Sequence, residues 1–367
     1  MKTVAVLGGS GVSGRAIAEW LLASKGTNVR LLGRTEAKLR AAAESLNDQR
    51  VTIRVVDAKD QVGLREALHG TELIVVAAPV LDQCAAVAQT ALDAGVNWLD
   101  ILIDTGPKLK ALTAIAPLFE RAGLSLITGS GVHPGLPGVM ARAIAGHYAA
   151  LQKVEIGMLM SVDWNKYDFT AETANEFVVE GLNFKSAGWV RGEYHKYLWI
   201  DPRAVRRIDF GTPFGKRGCV LMELEEIHGL KQLYPGLEMA YLAIAGFSPL
   251  VDWVIMPASM VMMAVSKKTI PTATRILWKG LRRSAKPPYG ITVTMTASGD
   301  GNDAVKLAVR HEDGYWLTAA VAGATARQML DGTVTAKGLH SAALVVDAHQ
   351  LLADIEAAGA ELILGAA

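Results

Sequence analysis

Three glycines at two- and three-residue spacing, Gly9, Gly11 and Gly14, lie in the run Gly8-Gly9-Ser10-Gly11-Val12-Ser13-Gly14. Glycine here permits a tight turn and lets backbone N–H groups approach a pyrophosphate. A helix starting at the turn adds the positive end of its dipole. The run follows strand-like Thr3–Leu7 and precedes a helical pattern at Ala16–Ala23, the context a dinucleotide-binding turn requires. Gly8, Gly9, Ser10, Gly11, Val12, Ser13 and Gly14 are therefore expected to line a nucleotide. About twenty residues past the last glycine, where an acid would take the ribose diol of NAD, stands Arg34. A guanidinium there suits a 2′-phosphate, which an acid would repel, so NADP(H) is the expected cofactor. Thr35 shares this position and is also the natural N-cap of the next helix, while Ser10 and Lys38 are expected to assist the phosphate. Asp57 either accepts a hydrogen bond from the adenine amino group or caps the helix after it. Ala77, Ala78 and Pro79 follow the fourth strand, where small residues let backbone pass close to ribose and nicotinamide.

Two residues are the candidates for chemistry. Asp100 closes the fifth apolar run, and His133 follows the sixth; both belong at the carboxyl edge of a parallel sheet, where ligands of open α/β folds gather. His133 has an unperturbed pKa near neutrality and is the leading proton donor or acceptor, with a backbone-bonded structural histidine as the alternative. Asp163, Trp164, Lys166 and Tyr167 read mainly as a solvated strand end. Glu223, Glu225, Glu226 and His228 resemble a metal cluster by composition only, since strand alternation would divide them between two faces, and no metal is assigned. None of the eight tyrosines has Lys four residues later, which disfavours the short-chain dehydrogenase arrangement. The strings of zincins and P-loop phosphotransferases are also missing.

The elements that must position these residues follow from periodicity. Apolar runs at 3–7, 29–32, 51–56, 73–78, 96–101 and 124–128 alternate with helical patterns, and continuous hydrophobicity suits strands covered on both faces. The expected fold is α/β: an N-terminal Rossmann domain with a doubly wound parallel sheet over residues 1–132. An α+β substrate and dimerisation domain with a mixed sheet is expected over 133–322, and a helical segment, 323–367, returning to the first domain.

The glycine string, Gly33-Arg34, Gly95–Asp100 and above all Gly131-Val132-His133-Pro134-Gly135-Leu136-Pro137-Gly138 resemble the glutamate-forming branch of the saccharopine dehydrogenase-like oxidoreductases. The likeness is strongest over residues 1–140 and looser at Gly229–Phe247 and Gly338–Gly359. It implies an NADP(H) Rossmann domain, an α/β substrate domain, and hydride transfer to or from an imine or carbonyl held between them. Saccharopine-forming members carry an Asp-Pro-Gly-Ile-Asp-His type string where this chain has His133 to Gly138. Here the Pro-Gly turn remains, but both acids and the following histidine are missing. The resemblance therefore leaves the substrate open, with an enoyl thioester reductase on a lipid-like substrate and a non-catalytic NADP(H) sensor or scaffold as alternatives.

Composition narrows the partners. With 367 residues, half of them apolar, and a formal charge of +1, the chain can bury two cores and has no global basic field for nucleic acid. Its two cysteines, Cys84 and Cys219, lack the spacing of a zinc site, and the amino terminus enters a strand directly; a cytoplasmic protein is expected. Met239–Val265 is long and apolar enough to raise a membrane span, but Asp252 with Pro249 and Pro257 argues for buried helices or a subunit interface instead. Peripheral lipid contact is the lesser alternative there. A small-molecule substrate and a homodimer complete the expectation.

Overall fold

The first sheet is assembled from β1 (Lys2–Leu7), β2 (Thr27–Gly33), β3 (Val51–Val55), β4 (Leu73–Val76), β5 (Asn97–Asp100) and β6 (Ser125–Thr128). Between them run α1 (Val12–Ala23), α2 (Glu36–Leu46), α3 (Gln61–Ala67), α4 (Cys84–Asp93) and α5 (Gly106–Arg121), with α6 (Leu136–Ala145) following β6. This computed structural model describes residues 1–166, 184–198 and 201–366. Among them, the strands and a late addition, β15 (Gly338–Ser341), form one seven-stranded sheet in the order β15-β6-β5-β4-β1-β2-β3. Each neighbouring pair is parallel. Val4, Ala5, Val6, Ile74 and Val75 are fully buried, as expected of inner strands covered on both faces. β3 departs from that expectation. It lies at the sheet edge, and Val55 is exposed there.

The chain divides into two compact units, one of Met1–Ala143 with Tyr315–Gly359, the other of Ile144–Gly314 with the residues from Ala360 onward. The boundary expected at 322/323 falls inside a single helix, Gly314–Asp331. That helix is rich in Ala and Gly and buried on most sides, so backbones pack closely around it. Gly323 lies directly against the Trp20 ring of α1. Its Gln328 holds Asp347 in both directions, donating to the Asp347 carbonyl (3.0 Å) and accepting the Asp347 N–H (2.8 Å). The boundary expected at 132/133 moves as well. Arg142 on α6 donates to the carbonyls of Ala343 (3.0 Å) and Val346 (2.7 Å), which ties residues 133–143 to the first unit.

Among the described residues the second unit holds a mixed sheet of nine strands. These are β7 (Ala150–Ser161), β8 (Ser186–Val190), β9 (Glu193–Tyr197), β10 (Val205–Asp209), β11 (Lys216–Met222), β12 (Met239–Ala245), β13 (Gly290–Asp300), β14 (Asn302–His311) and β16 (Glu361–Ala366). The order is β10-β11-β12-β7-β13-β14-β16, with β8 and β9 joined through β12; β12 and β7 are parallel and the other pairs antiparallel. Residues 361–366, expected to be part of a helical return to the first domain, instead add a strand to β14. Met239–Val265 is also corrected. Its first third is β12, which pairs with β7, and only Val251–Ile255 and Met256–Val265 are helical. β-branched and aromatic neighbours on the sheet outweigh the helical look of the Ala-rich sequence. Among the described residues no helix is long and apolar enough to cross a membrane.

The Gly323–Trp20 contact yields a direct test. Gly323→Ala places a methyl group where the indole now lies, and overpacking of this kind costs about 1–3 kcal/mol. Urea unfolding is expected to show a lower midpoint for the variant at an unchanged slope.

Candidate cofactor and active site

The turn after β1 is built by close approach of backbones. Gly8 and Gly9 donate to the same carbonyl, that of Leu32 at 2.9 and 3.1 Å, which draws the turn over the end of β2. Gly8 has φ +86°, and a Cβ on it would lie 2.8 Å from the Ala78 nitrogen, inside any tolerable contact. A Cβ on Gly14 would overlap the Gly8 carbonyl oxygen, so the first turn of α1 rests directly on the loop. Gly11 occupies the N-cap with no side-chain hydrogen bond, leaving the helix start open. First-turn N–H groups have no partner within their own helix, so Val12, Ser13 and Gly14 present a ready site for a phosphate. Cradle, close-packed glycines and uncapped helix together fit a dinucleotide.

The expected selector lies beside it. Arg34 and Thr35 are exposed at the end of β2, and Ser10 Oγ lies 3.8 Å from where a Gly33 Cβ would be. Thr35 holds the N-cap position of α2 but makes no side-chain cap bond, so the capping alternative leaves its hydroxyl unused. Val56 donates to the Gly33 carbonyl (2.9 Å), which brings Asp57 next to the same edge. Asp57 does not cap α3. Asp60 does, accepting from Gly63 N–H at 3.0 Å, while Asp57 Oδ1 accepts from Lys59 N–H at 2.9 Å in a local turn. Ala77 and Ala78 form the wall against Gly8, with Ala77 N–H on the Leu7 carbonyl (2.9 Å) and Pro79 exposed beyond them.

Asp100 is placed differently from its expected role. Its side chain is wholly buried, and five donors converge on the carboxylate. Oδ2 accepts from Trp98 Nε1 and Thr128 Oγ1, both at 2.9 Å. Oδ1 accepts from Lys108 Nζ at 2.8 Å, Leu102 N–H at 3.0 Å and Gly129 N–H at 3.3 Å. A carboxylate so saturated positions the loops after β5 and β6 and has no oxygen to spare for a substrate. Lys108, at the first turn of α5, is buried too and spends its three protons on Asp100, the Leu102 carbonyl (2.7 Å) and Asp104 Oδ1 (3.0 Å). Burial opposes the ammonium, but Asp100 and Asp104 outweigh it and raise its pKa. Burial also pushes the Asp104 carboxyl up, against the pull of Lys108. Lys108, Asp104 and Thr128 were not singled out from the sequence. The signal was present in Asp104-Thr105-Gly106-Pro107-Lys108: an acid four residues before a lysine, around a Thr cap and a first-turn proline.

His133 is half-buried as a residue, and burial pulls its pKa down to about 4. The cationic donor expected near neutral pH is therefore scarce, and the imidazole stands neutral. Among the described residues neither ring nitrogen makes a hydrogen bond, which removes the backbone-bonded alternative. The turn around it is held by Gly131 N–H on the Pro134 carbonyl (2.8 Å) and Leu136 N–H on the Gly131 carbonyl (3.0 Å). Ser130 N–H on the Asp100 carbonyl (2.8 Å) anchors the same loop to β5.

The remaining candidates belong to the second unit. Trp164 packs in a core with Val251, Leu277 and Leu281; Asp163 turns to Asn165 N–H (3.2 Å), and Lys166 is exposed. Tyr167 lies outside the described residues. Glu225, Glu226 and His228 are on a helix, Glu225–Leu233, and not on the strand expected, while Glu223 engages the Tyr194 hydroxyl and Lys185.

With this geometry in view, comparison with known proteins is informative. Residues 4–124, within the first unit, match the family described as saccharopine dehydrogenase NADP binding domain. In fold the chain is similar to apo saccharopine dehydrogenase (L-Glu forming) from Saccharomyces cerevisiae, with 14% identity, all of both chains covered and a TM-score of 0.69. An oxidoreductase from Agrobacterium radiobacter, solved with NAD+, L-tartaric acid and magnesium, covers 99% of this chain and 98% of its own at 11% identity and a TM-score of 0.46. No curated protein sequence matches the chain.

Two measurements probe the centre of the site. Lys108→Met leaves two carboxyl groups buried without their cation and is expected to destabilise the protein by about 3–5 kcal/mol, read by chemical denaturation. For His133 the folded pKa lies below the unfolded one, so the unfolded chain binds the extra proton and stability falls as pH drops from about 6.5 to about 4. His133→Asn should flatten that acid-side loss relative to the parent protein. Parallel urea midpoints across the same pH window would reveal it.

Proposed function

We propose that this chain is an NADP(H)-dependent oxidoreductase acting on an imine or carbonyl of a small molecule. The observation that carries this is the pairing of an open glycine cradle with Arg34, in place of an acid, at the end of β2. Gly8, Gly9, Gly11 and the first turn of α1 hold the pyrophosphate, and Arg34 with Ser10 and Thr35 holds the 2′-phosphate. Asp57 lines the adenine side and Ala77, Ala78 and Pro79 line the ribose side. The bound nicotinamide supplies or accepts the hydride.

His133 is the proton-handling group in this proposal, acting as a neutral imidazole that gives or takes a hydrogen bond at the reacting oxygen or nitrogen. Asp100 acts through others. It fixes the Thr128–Ser130 segment that leads to His133, with Lys108 as its counter-ion. Its role is positioning. The missing acids at 133–138 leave the choice of imine or carbonyl to residues other than those of saccharopine-forming relatives.

Cofactor titration tests the proposal. NADPH is expected to bind more tightly than NADH, with Arg34→Asp narrowing or inverting the ratio because a partner of the phosphate becomes a repulsive charge. Nicotinamide fluorescence reports both affinities. Equal affinities for the two cofactors in the parent protein would overturn the assignment of Arg34, and failure of either to bind would overturn the function itself.

A further inference from the structure

Between β12 and β13 the second unit carries a surface that the dinucleotide site does not use. Its apolar part comes from Leu250, Trp253, Val254, Val261 and Val265, all exposed; Trp253 is 59%, Val261 61% and Val265 80% accessible. Val254, Val261 and Val265 are seven and four residues apart, so successive helical turns present them on one side. The helix Ile270–Ser284 packs against this segment through Ala273, Leu277 and Leu281, and Gly280 meets Ile255. Its outer side is basic. Arg275, Lys279 and Arg283 recur every four residues and are exposed, with Ile276 among them and Lys268 and Lys286 beyond the helix ends.

Charge decides what this surface fits. From Trp253 to Gly299 the sequence holds seven lysines and arginines and no aspartate or glutamate, against a formal charge of +1 for all 367 residues. Among the described residues none of Lys268, Arg275, Lys279, Arg283 and Lys286 forms an ion pair. Asp252, the acid at the start of the segment, turns to the backbone and accepts the Phe247 N–H at 2.8 Å. Arg282 stacks over the Trp278 ring at 4.9 Å. A second copy of the chain is a poor occupant, because a two-fold contact on this face would set like charges against each other with no acid to relieve them. Exposed Trp and aliphatic side chains beside an unrelieved basic stripe suit an interfacial helix pair on a negatively charged membrane. Spanning the bilayer is not required, and no described helix is long and apolar enough for it.

We propose that residues 250–286 form a docking surface for an anionic phospholipid bilayer. Trp253, Val254, Val261 and Val265 enter the interfacial layer, and Arg275, Lys279 and Arg283 face the headgroups. This surface is independent of the dinucleotide cradle.

Vesicle flotation of the full chain tests it. With vesicles of phosphatidylcholine containing roughly one third phosphatidylglycerol the protein is expected to float, and with phosphatidylcholine alone to remain at the bottom. Raising salt to about 0.5 M should release most of it, because the screening length shrinks to a few ångströms. The double variant Arg275→Gln, Lys279→Gln should partition about 25-fold less, roughly fivefold per cation removed. Val261→Ser with Val265→Ser should weaken binding to the anionic vesicles while leaving the salt dependence in place. NADPH titration of the same variants confirms an intact fold. Equal flotation with both vesicle types, no flotation with either, or a dimer in light scattering that these substitutions dissociate would each overturn the proposal.

Discussion

The nucleotide-binding edge of the first unit depends on one steric constraint: the Gly8 carbonyl occupies the space a Gly14 Cβ would need. Because α1 can rest directly on the loop, its uncapped first turn faces the end of the sheet, and Gly8 can pass the backbone of Ala77 and Ala78. Any side chain at these points would lift the helix and separate the donors that a pyrophosphate requires. The shared Leu32 acceptor then couples this turn to β2, and so to Gly33 and Arg34. The glycine turn and the proposed phosphate partner Arg34 are thus tied to the same short stretch of backbone.

A second constraint organises the opposite half of the sheet edge. One lysine is buried between Asp100 and Asp104, and the carboxylate of Asp100 gathers donors from β5, β6, α5 and the loops beyond. Buried charge of this kind costs desolvation, which dense hydrogen bonding offsets, and removal of any partner exposes that cost. Its benefit is geometric. The segment Thr128–Gly131 has its path set by these bonds, and it leads to His133, whose pKa burial lowers. In the proposed reading the buried ions of Asp100 and Lys108 position this segment, and burial favours the uncharged form of His133.

How far the sequence discloses this varies with the kind of interaction. Asp100 was legible as the end of a strand at the ligand edge but not as a saturated ion, since its partners lie up to 29 residues away. Lys108 carries a local sign of its pairing in Asp104 four residues earlier, but nothing in the sequence marks its burial. Asp57 was open to capping the next helix, and only the position of Gly63 N–H, on Asp60, decided against it. In the second unit, Met239–Ala245 has a composition that serves helix or strand alike. β7 offered it a parallel edge, and hydrogen bonding across that edge settled the matter.

Sequence alone determined the features that rest on local sterics and pattern: the glycine turn, the alternation of buried strands and helices, and the absence of an acid at Arg34. Each follows from allowed backbone angles, from apolar periodicity or from the identity of one residue. Tertiary structure decided the burial that lowers the pKa of His133, the saturation of the Asp100 carboxylate by hydrogen-bond donors, the single helix across 322/323 and the joining of residues 361–366 to the second sheet. The reason is common to all four. Burial and hydrogen-bond partnership are properties of residues far apart in the chain, and they exist only once folding has brought those residues together.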